Sequence, residues 1–140
     1  MFLREVDVLV VAVPLTAETD GMIGADQLLL LGDHGLLVNV ARGAVVDERA
    51  LYEALHSRTI AGAGLDVWYE YRPDETSDGR KYPYDGQYPF HELDNVVLSP
   101  HRAASPFDDL RRWDEVIENV RRVADGREDL LNLVDLERGY

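Results

Sequence analysis

The sequence predicts an α/β fold built on an open parallel sheet of about four strands. Three observations carry this expectation. Short runs of valine, leucine and isoleucine recur along the chain; amphipathic helical segments lie between them; and the two alternate over a length of one ordinary domain. Strands buried on both faces read as continuous apolar runs, and their alternation with helices argues for βαβ units.

Val6 to Val13 is β-branched, almost wholly apolar and stopped by Pro14, which suits a strand buried on both faces. Gly24 to Leu31 reads as a short helix ended by Gly32, and Leu36 to Ala41 as a second buried strand. Asp47 can cap a helix that places Ala50, Leu51, Ala54 and Leu55 on one face. Ile60 to Val67 is a third, glycine-rich strand, and Asn95 to Ser99 a fourth. The last helix is expected to start at Ser105 as N-cap with Pro106 at its first position. Phe107, Leu110, Trp113, Ile117, Val120 and Ala124 then recur at helical steps, and Gly126 can close the helix. Residues 69 to 90 break the pattern: they carry Pro73, Pro83 and Pro89 and five of the seven tyrosines. A loop this long reads either as a flap near the ligand crevice or as a surface insertion.

With 140 residues and 46% hydrophobic content, the chain can bury a proper core. No apolar stretch approaches the roughly 18 residues a membrane span needs. Arg4, Glu5 and Asp7 interrupt the apolar character a signal peptide would have, so the cytoplasm is the expected location. There is no cysteine, which excludes disulfides, thiolate catalysis and cysteine-ligated metals. The net charge is −13, and Lys81 is the one lysine among 14 basic residues. That field repels nucleic acid and anionic membranes, so neither is expected as a partner. An acidic, lysine-poor surface suits work in concentrated salt, and equally an arginine-biased acidic protein of ordinary habitat.

A dinucleotide-binding domain normally shows G-x-G-x-x-G between its first strand and first helix. Nothing here qualifies: Gly62-Ala-Gly64 has the first spacing but lies in a strand and opens no helix. No acidic residue can be assigned to a cofactor ribose. The chain therefore reads as the second half of a Rossmann-type doubly wound sheet, with Val6–Val13 next to a first strand that the sequence lacks. Such a strand would present an unpaired apolar edge, through which dimerisation, segment exchange or aggregation is expected.

Two residues stand just past apolar runs. Arg42 follows Leu36–Ala41 within Asn39-Val-Ala-Arg-Gly43, and His101 follows Val96–Leu98 within Ser99-Pro-His-Arg-Ala103. Groups beyond the carboxyl ends of parallel strands face the ligand crevice. A fixed cation to hold a carboxylate and a titratable ring to move a proton are what 2-hydroxy-acid chemistry requires.

Five segments carry a family resemblance: Val11-Ala-Val-Pro-Leu-Thr16 with Thr19, Leu37 to Gly43, Val46-Asp-Glu48, Ala61-Gly-Ala-Gly-Leu-Asp-Val-Trp68, and Asn95 to His101. In order and spacing they resemble the NAD-binding domain of the D-isomer-specific 2-hydroxyacid dehydrogenases. The resemblance implies that Arg42 holds the substrate's carboxylate and keto oxygen and that His101 is the acid/base. It implies that Asp66 binds the nicotinamide carboxamide. It also implies that Val13, Pro14, Thr19, Val40, Ala41, Arg42, Asp66, His101, Ala103 and Ala104 line the cofactor, NAD or NADP. The family usually pairs its histidine with a glutamate five residues beyond the aspartate, but that position is Tyr71 here. Glu70 is the favoured substitute as a catalytic residue, with Glu92 and an unpaired histidine as the alternatives. His34, His56 and His91 are expected to face solvent, and no metal is expected because no ligand cluster has the right spacing.

The expected organisation is a partial NAD(P)-binding domain over 1–126. A tail over 127–140 would pack Leu133, Val134 and Leu136 on a substrate domain. The expected activity is hydride transfer between NAD(P) and a small 2-hydroxy or 2-keto acid in a homodimeric oxidoreductase. One rival is a non-catalytic remnant serving as an oligomerisation or binding module. A second is a different Rossmann-type enzyme using another nucleotide.

Overall fold

A computed structural model describes residues 2–71, 87–103 and 112–132. The chain divides into two compact units, Met1–Ala103 and Ala104–Tyr140. In the first, β1 (Val8–Val11), α1 (Ala25–Leu31), β2 (Leu36–Asn39), α2 (Glu48–His56), β3 (Gly62–Leu65) and β4 (Val96–Leu98) follow in order. The strands form one sheet in the order β1-β2-β3-β4, every neighbouring pair parallel. This is the Rossmann-type α/β arrangement expected, with each strand shorter than its apolar run.

Register sorts the side chains into two faces. Leu9 pairs with Leu37 and Leu37 with Ala63, while Val11 pairs with Asn39 and Asn39 with Leu65. The apolar ones among these, with Val96 and Leu98, pack with Leu28 and Leu31 of α1 and Leu51 and Leu55 of α2. Leu28, Leu37, Leu51, Leu55, Ile60, Val45 and Val46 are fully enclosed there. At about 1.5–3 kcal/mol per fully buried aliphatic side chain, this single layer supplies most of the unit's stabilisation.

The opposite face is bare. Val8 is 49% exposed, Val10 55%, Leu36 44% and Val97 73%. The expectation that the first strand is buried on both faces is therefore corrected. β1 has β2 as its one sheet neighbour among the described residues, and only its Leu9/Val11 side is covered. The apolar sequence records what these side chains favour, and no layer of the described residues meets them.

Local chemistry sets the helix ends. The Asp47 carboxylate accepts the Ala50 N–H (2.7 Å) and starts α2, as the sequence predicted. At α1, Gln27 Oε1 accepts the Gly24 N–H (3.0 Å), and Gly32 donates its N–H to Leu28 O (3.1 Å). The loops after β1 and β2 are joined by Gly21 N–H to Ala44 O (2.8 Å), Ile23 N–H to Val45 O (3.1 Å) and Asp47 N–H to Ile23 O (2.9 Å). That ladder draws both loops to the same edge of the sheet.

In the second unit, α3 (Arg112–Ala124) ends at Gly126, whose φ of +70° is the left-handed conformation that glycine adopts without penalty. The Gly126 N–H bonds Val123 O (3.0 Å) and the Arg127 N–H bonds Arg122 O (2.9 Å), closing the helix as a Schellman turn. The segment beyond is held to α3 by Asn119, which accepts the Leu131 N–H (2.8 Å) and donates to Leu131 O (3.0 Å). The predicted start of this helix at Ser105 and Pro106, and Leu133, Val134 and Leu136 of the tail, lie outside the described residues. No helix among the described residues is long and apolar enough to cross a membrane.

Candidate active site

The three polar residues singled out from the sequence sit at equivalent heights. Arg42 is three residues past the end of β2, Asp66 one residue past β3, and His101 three residues past β4. Because the strands are parallel, all three lie beyond one edge, the carboxyl edge where open α/β sheets bind ligands. The loop carrying Val13, Pro14 and Thr19 leaves β1 at the same edge.

The Arg42 loop is shaped by Asn39, the last residue of β2, which is 2% exposed. Its Oδ1 accepts the Ala41 N–H (3.1 Å) and its Nδ2 donates to Arg42 O (3.0 Å). A buried amide that satisfies both its functions on one loop fixes the path of that loop. Gly43 lets the loop press against the next segment. A Cβ there would overlap the Trp68 carbonyl oxygen and stand 2.6 Å from its carbon. The Arg42 side chain is exposed and its Nη1 donates to Ala41 O (2.7 Å).

His101 has φ +57°, the left-handed region, uncommon for a residue with a Cβ. Held in that conformation, the backbone costs about 1–2 kcal/mol. Asp66 supplies the restraint. Its Oδ1 accepts the Ser99 hydroxyl (2.5 Å) and the Arg102 N–H (2.7 Å), and its Oδ2 accepts the Ala103 N–H (2.8 Å). The carboxylate thus brackets His101 on both sides. Burial pushes this carboxyl up. The Ser99 hydroxyl, the Ala103 and Arg102 N–H groups and the His101 charge outweigh burial and hold it below the ordinary carboxylate range.

The imidazole of His101 lies against the ring of Tyr71, with centroids 5.5 Å apart and planes tilted by 43°. Tyr71 is anchored in turn, because its hydroxyl oxygen accepts the Trp68 N–H (2.9 Å). Trp68 is buried, and its Nε1 donates to Ser99 O (3.1 Å). Among the described residues, neither Glu70 nor Glu92 forms an ion pair or hydrogen bond with His101. The side chain brought to the imidazole is the tyrosine that stands where the glutamate was looked for.

The other expected cofactor-lining positions divide by how they are used. Thr19 is an internal brace: its hydroxyl donates to Pro14 O (2.7 Å) and accepts the Thr16 N–H (2.8 Å). Val13 and Val40 are exposed apolar side chains at the edge, and their strand ends are tied by Val40 N–H to Val11 O (3.3 Å). Ala41 is buried beneath the Arg42 loop, Ala103 is exposed, and Ala104 lies outside the described residues. His34 and His56 are exposed as expected, while His91 is half-buried.

Asn39, Ser99, Trp68 and Tyr71 carry the architecture of the site and had no assigned role in the sequence reading. Asn39 and Ser99 share motifs with Arg42 and His101, Trp68 shares one with Asp66, and Tyr71 stands where the glutamate was looked for.

Four parallel strands alternating with helices, with an arginine and a bracketed histidine past their carboxyl ends, define a Rossmann-type domain. The chain belongs to the D-isomer specific 2-hydroxyacid dehydrogenases: residues 1–103 match the NAD binding domain of that family. It is 43% identical over 119 residues to a glyoxylate reductase of Korarchaeum cryptofilum, covering 84% of this chain and 32% of that protein. A D-isomer specific 2-hydroxyacid dehydrogenase of Xanthobacter autotrophicus, solved in complex with NADPH and MES, is 38% identical with a TM-score of 0.77. That match covers 99% of this chain and 52% of that one. An enzyme of the same description from Lactobacillus delbrueckii, in its NAD complexed form, is 30% identical with a TM-score of 0.75, over 90% of this chain and 39% of that one. The chain thus spans about a third of the curated relative and 39% to 52% of the solved ones.

Proposed function

We propose that the protein carrying this chain is an oxidoreductase that moves a hydride between NAD or NADP and C2 of a small 2-hydroxy or 2-keto acid. The observation that carries this reading is the convergence of Arg42, Asp66 and His101 on one carboxyl edge of four parallel strands. Relatives named as glyoxylate reductase and as 2-hydroxyacid dehydrogenases with NADPH or NAD bound support the same reaction class.

The residues fit a nicotinamide dinucleotide. A carboxylate offers about four lone-pair sites, and Asp66 uses three, so one remains for the N–H of a carboxamide. Val13 and Val40 give the same edge exposed apolar surface against which flat rings can lie. The cofactor supplies or accepts the hydride. Arg42 binds the substrate carboxylate with the guanidinium N–H groups not given to Ala41, a planar fork that lysine lacks. His101 takes the hydroxyl proton as the alcohol is oxidised and returns it to the carbonyl oxygen in reduction. On this reading, residues 1–126 are part of the cofactor domain and 127–140 return to a substrate domain. Glu70 remains a candidate for assisting His101, and the enzyme is a cytoplasmic homodimer.

The rival of a non-catalytic binding module draws support from the bare face of Val8, Val10, Leu36 and Val97. Turnover separates the two. The intact protein should oxidise NADH or NADPH in the presence of glyoxylate or another 2-keto acid. His101→Gln should lose at least about a hundredfold in kcat, the usual contribution of a positioned acid/base, while still binding cofactor. No reduction of any 2-keto acid in a panel, with either cofactor, would refute the assignment.

A further inference from the structure

We infer that Tyr71 is the positioning residue for His101: its ring packs against the imidazole and fixes its orientation. The inference rests on the acid/base role proposed for His101 and adds the group that orients it.

The contact falls in a closed circuit of four residues. Ser99 opens the histidine turn, and its carbonyl accepts the Trp68 indole N–H at 3.1 Å. The backbone N–H of Trp68 is given to the Tyr71 hydroxyl at 2.9 Å. The Tyr71 ring then meets the imidazole at 5.5 Å and 43°, within the range of favourable tilted aromatic pairs. Trp68 is 5% exposed, so the circuit is anchored in the core at one end and delivers an aromatic ring to an exposed side chain at the other.

His101 needs such a support. It protrudes from a left-handed turn, where Asp66 restrains the backbone through Ser99, Arg102 and Ala103 and makes no hydrogen bond to the ring. An aromatic face attracts a cation through its quadrupole and carries no full charge. A ring packed against the imidazole restricts its rotation without placing a second charge beside it. A phenol whose oxygen is already fixed by a backbone donor keeps its ring in one place at little entropic cost.

Two variants and two readouts test this in the intact protein. Tyr71→Phe keeps the ring but loses the bond from the Trp68 N–H, so its kcat should fall between those of the parent and Tyr71→Leu. Tyr71→Leu removes the ring and should lower kcat about two- to tenfold, the weight of a tilted aromatic pair, with KM for the 2-keto acid and cofactor Kd unchanged. In parallel, proton NMR of the imidazole, assigned through His101→Gln, should show a ring-current displacement. That displacement disappears in Tyr71→Leu and persists in Tyr71→Phe, while the resonances of His34, His56 and His91 stay fixed. Turnover with no displacement at His101 refutes the assignment to Tyr71 alone. Equal loss in the Phe and Leu variants also refutes it, because the hydroxyl tether would then be the active element. A displacement in a protein that reduces no 2-keto acid overturns the enzymatic reading and this role with it.

Discussion

Replacing Asp66 with asparagine should release the histidine turn while leaving the sheet intact. The carboxylate accepts three hydrogen bonds, from Ser99, Arg102 and Ala103. Hydrogen bonds to a charged group contribute about 1.5–3 kcal/mol each, against about 0.5–1.5 for neutral pairs. Asparagine has one acceptor oxygen. Placed to keep Ser99 and Arg102, it turns its own NH₂ toward the Ala103 N–H, so that bond is lost and the other two weaken to the neutral scale. Simple addition gives more than 3 kcal/mol, but an exposed turn can open locally instead of bearing the whole penalty. The left-handed φ of His101 adds about 1–2 kcal/mol in favour of opening. A net loss of about 3 kcal/mol corresponds to roughly a hundredfold fall in the closed population. Amide hydrogen exchange at Arg102 and Ala103 should accelerate by that order, while exchange in β2 and β3 stays at the parent rate.

The pH dependence follows from the same carboxylate. Its folded-state value lies below the ordinary range, so near pH 4 the unfolded or opened state binds more protons. The contribution is therefore fully present above the ordinary carboxylate value and is lost as pH falls through the lower folded value. The parent turn should stay protected from neutrality down to the ordinary carboxylate range and open below it, and Asp66→Asn should show no such acid limb. Parent-like exchange at Arg102 and Ala103 in the variant would refute the bracketing role.

Two further substitutions probe the Arg42 loop. Gly43→Ala sets a Cβ against the Trp68 carbonyl, which is backbone and cannot swing aside, so about 1–3 kcal/mol should be lost; the urea midpoint reads it. Asn39→Ala leaves the Ala41 N–H without its buried acceptor and should cost about 1–3 kcal/mol by the same measurement. Its KM for a 2-keto acid should rise more than its kcat falls, since the loop that aims Arg42 is loosened.

The elements were legible wherever a single segment contains its own cause. Asp47 caps α2, Gly24 and Gly32 bound α1, and the four apolar runs became the four strands. Burial was less legible. Val8 and Val10 have the composition of an enclosed strand, yet they face outward, because apolar character states a preference and does not supply the layer that would cover it. The positions of Arg42 and His101 followed from strand ends, but the way each is held did not. The bonds from Ser99, Arg102 and Ala103 to Asp66 span 33 to 37 residues, and no periodicity reports a contact at that separation. Asp66 was read from the sequence as a cofactor ligand, and most of its accepting capacity serves its own chain.

The two loops that carry the chemistry are built by one device with different reach. In each, a polar residue at or just past the end of a strand, 2% exposed for Asn39 and 5% for Asp66, places its oxygens on backbone N–H groups beyond the sheet edge. Asn39 acts on its own loop and is neutral, so its hold is indifferent to pH. Asp66 reaches from β3 to the loop after β4, and it is charged. That difference matches the residues they serve. Arg42 is a fixed cation and needs only direction, whereas His101 stands in a left-handed conformation, and the three bonds to Asp66 hold that turn. Exchanging the two devices should therefore not be neutral even where packing allows it. An uncharged clamp under His101 would preserve the shape of the turn only in part, because bonds to a neutral acceptor are weaker than those to a carboxylate.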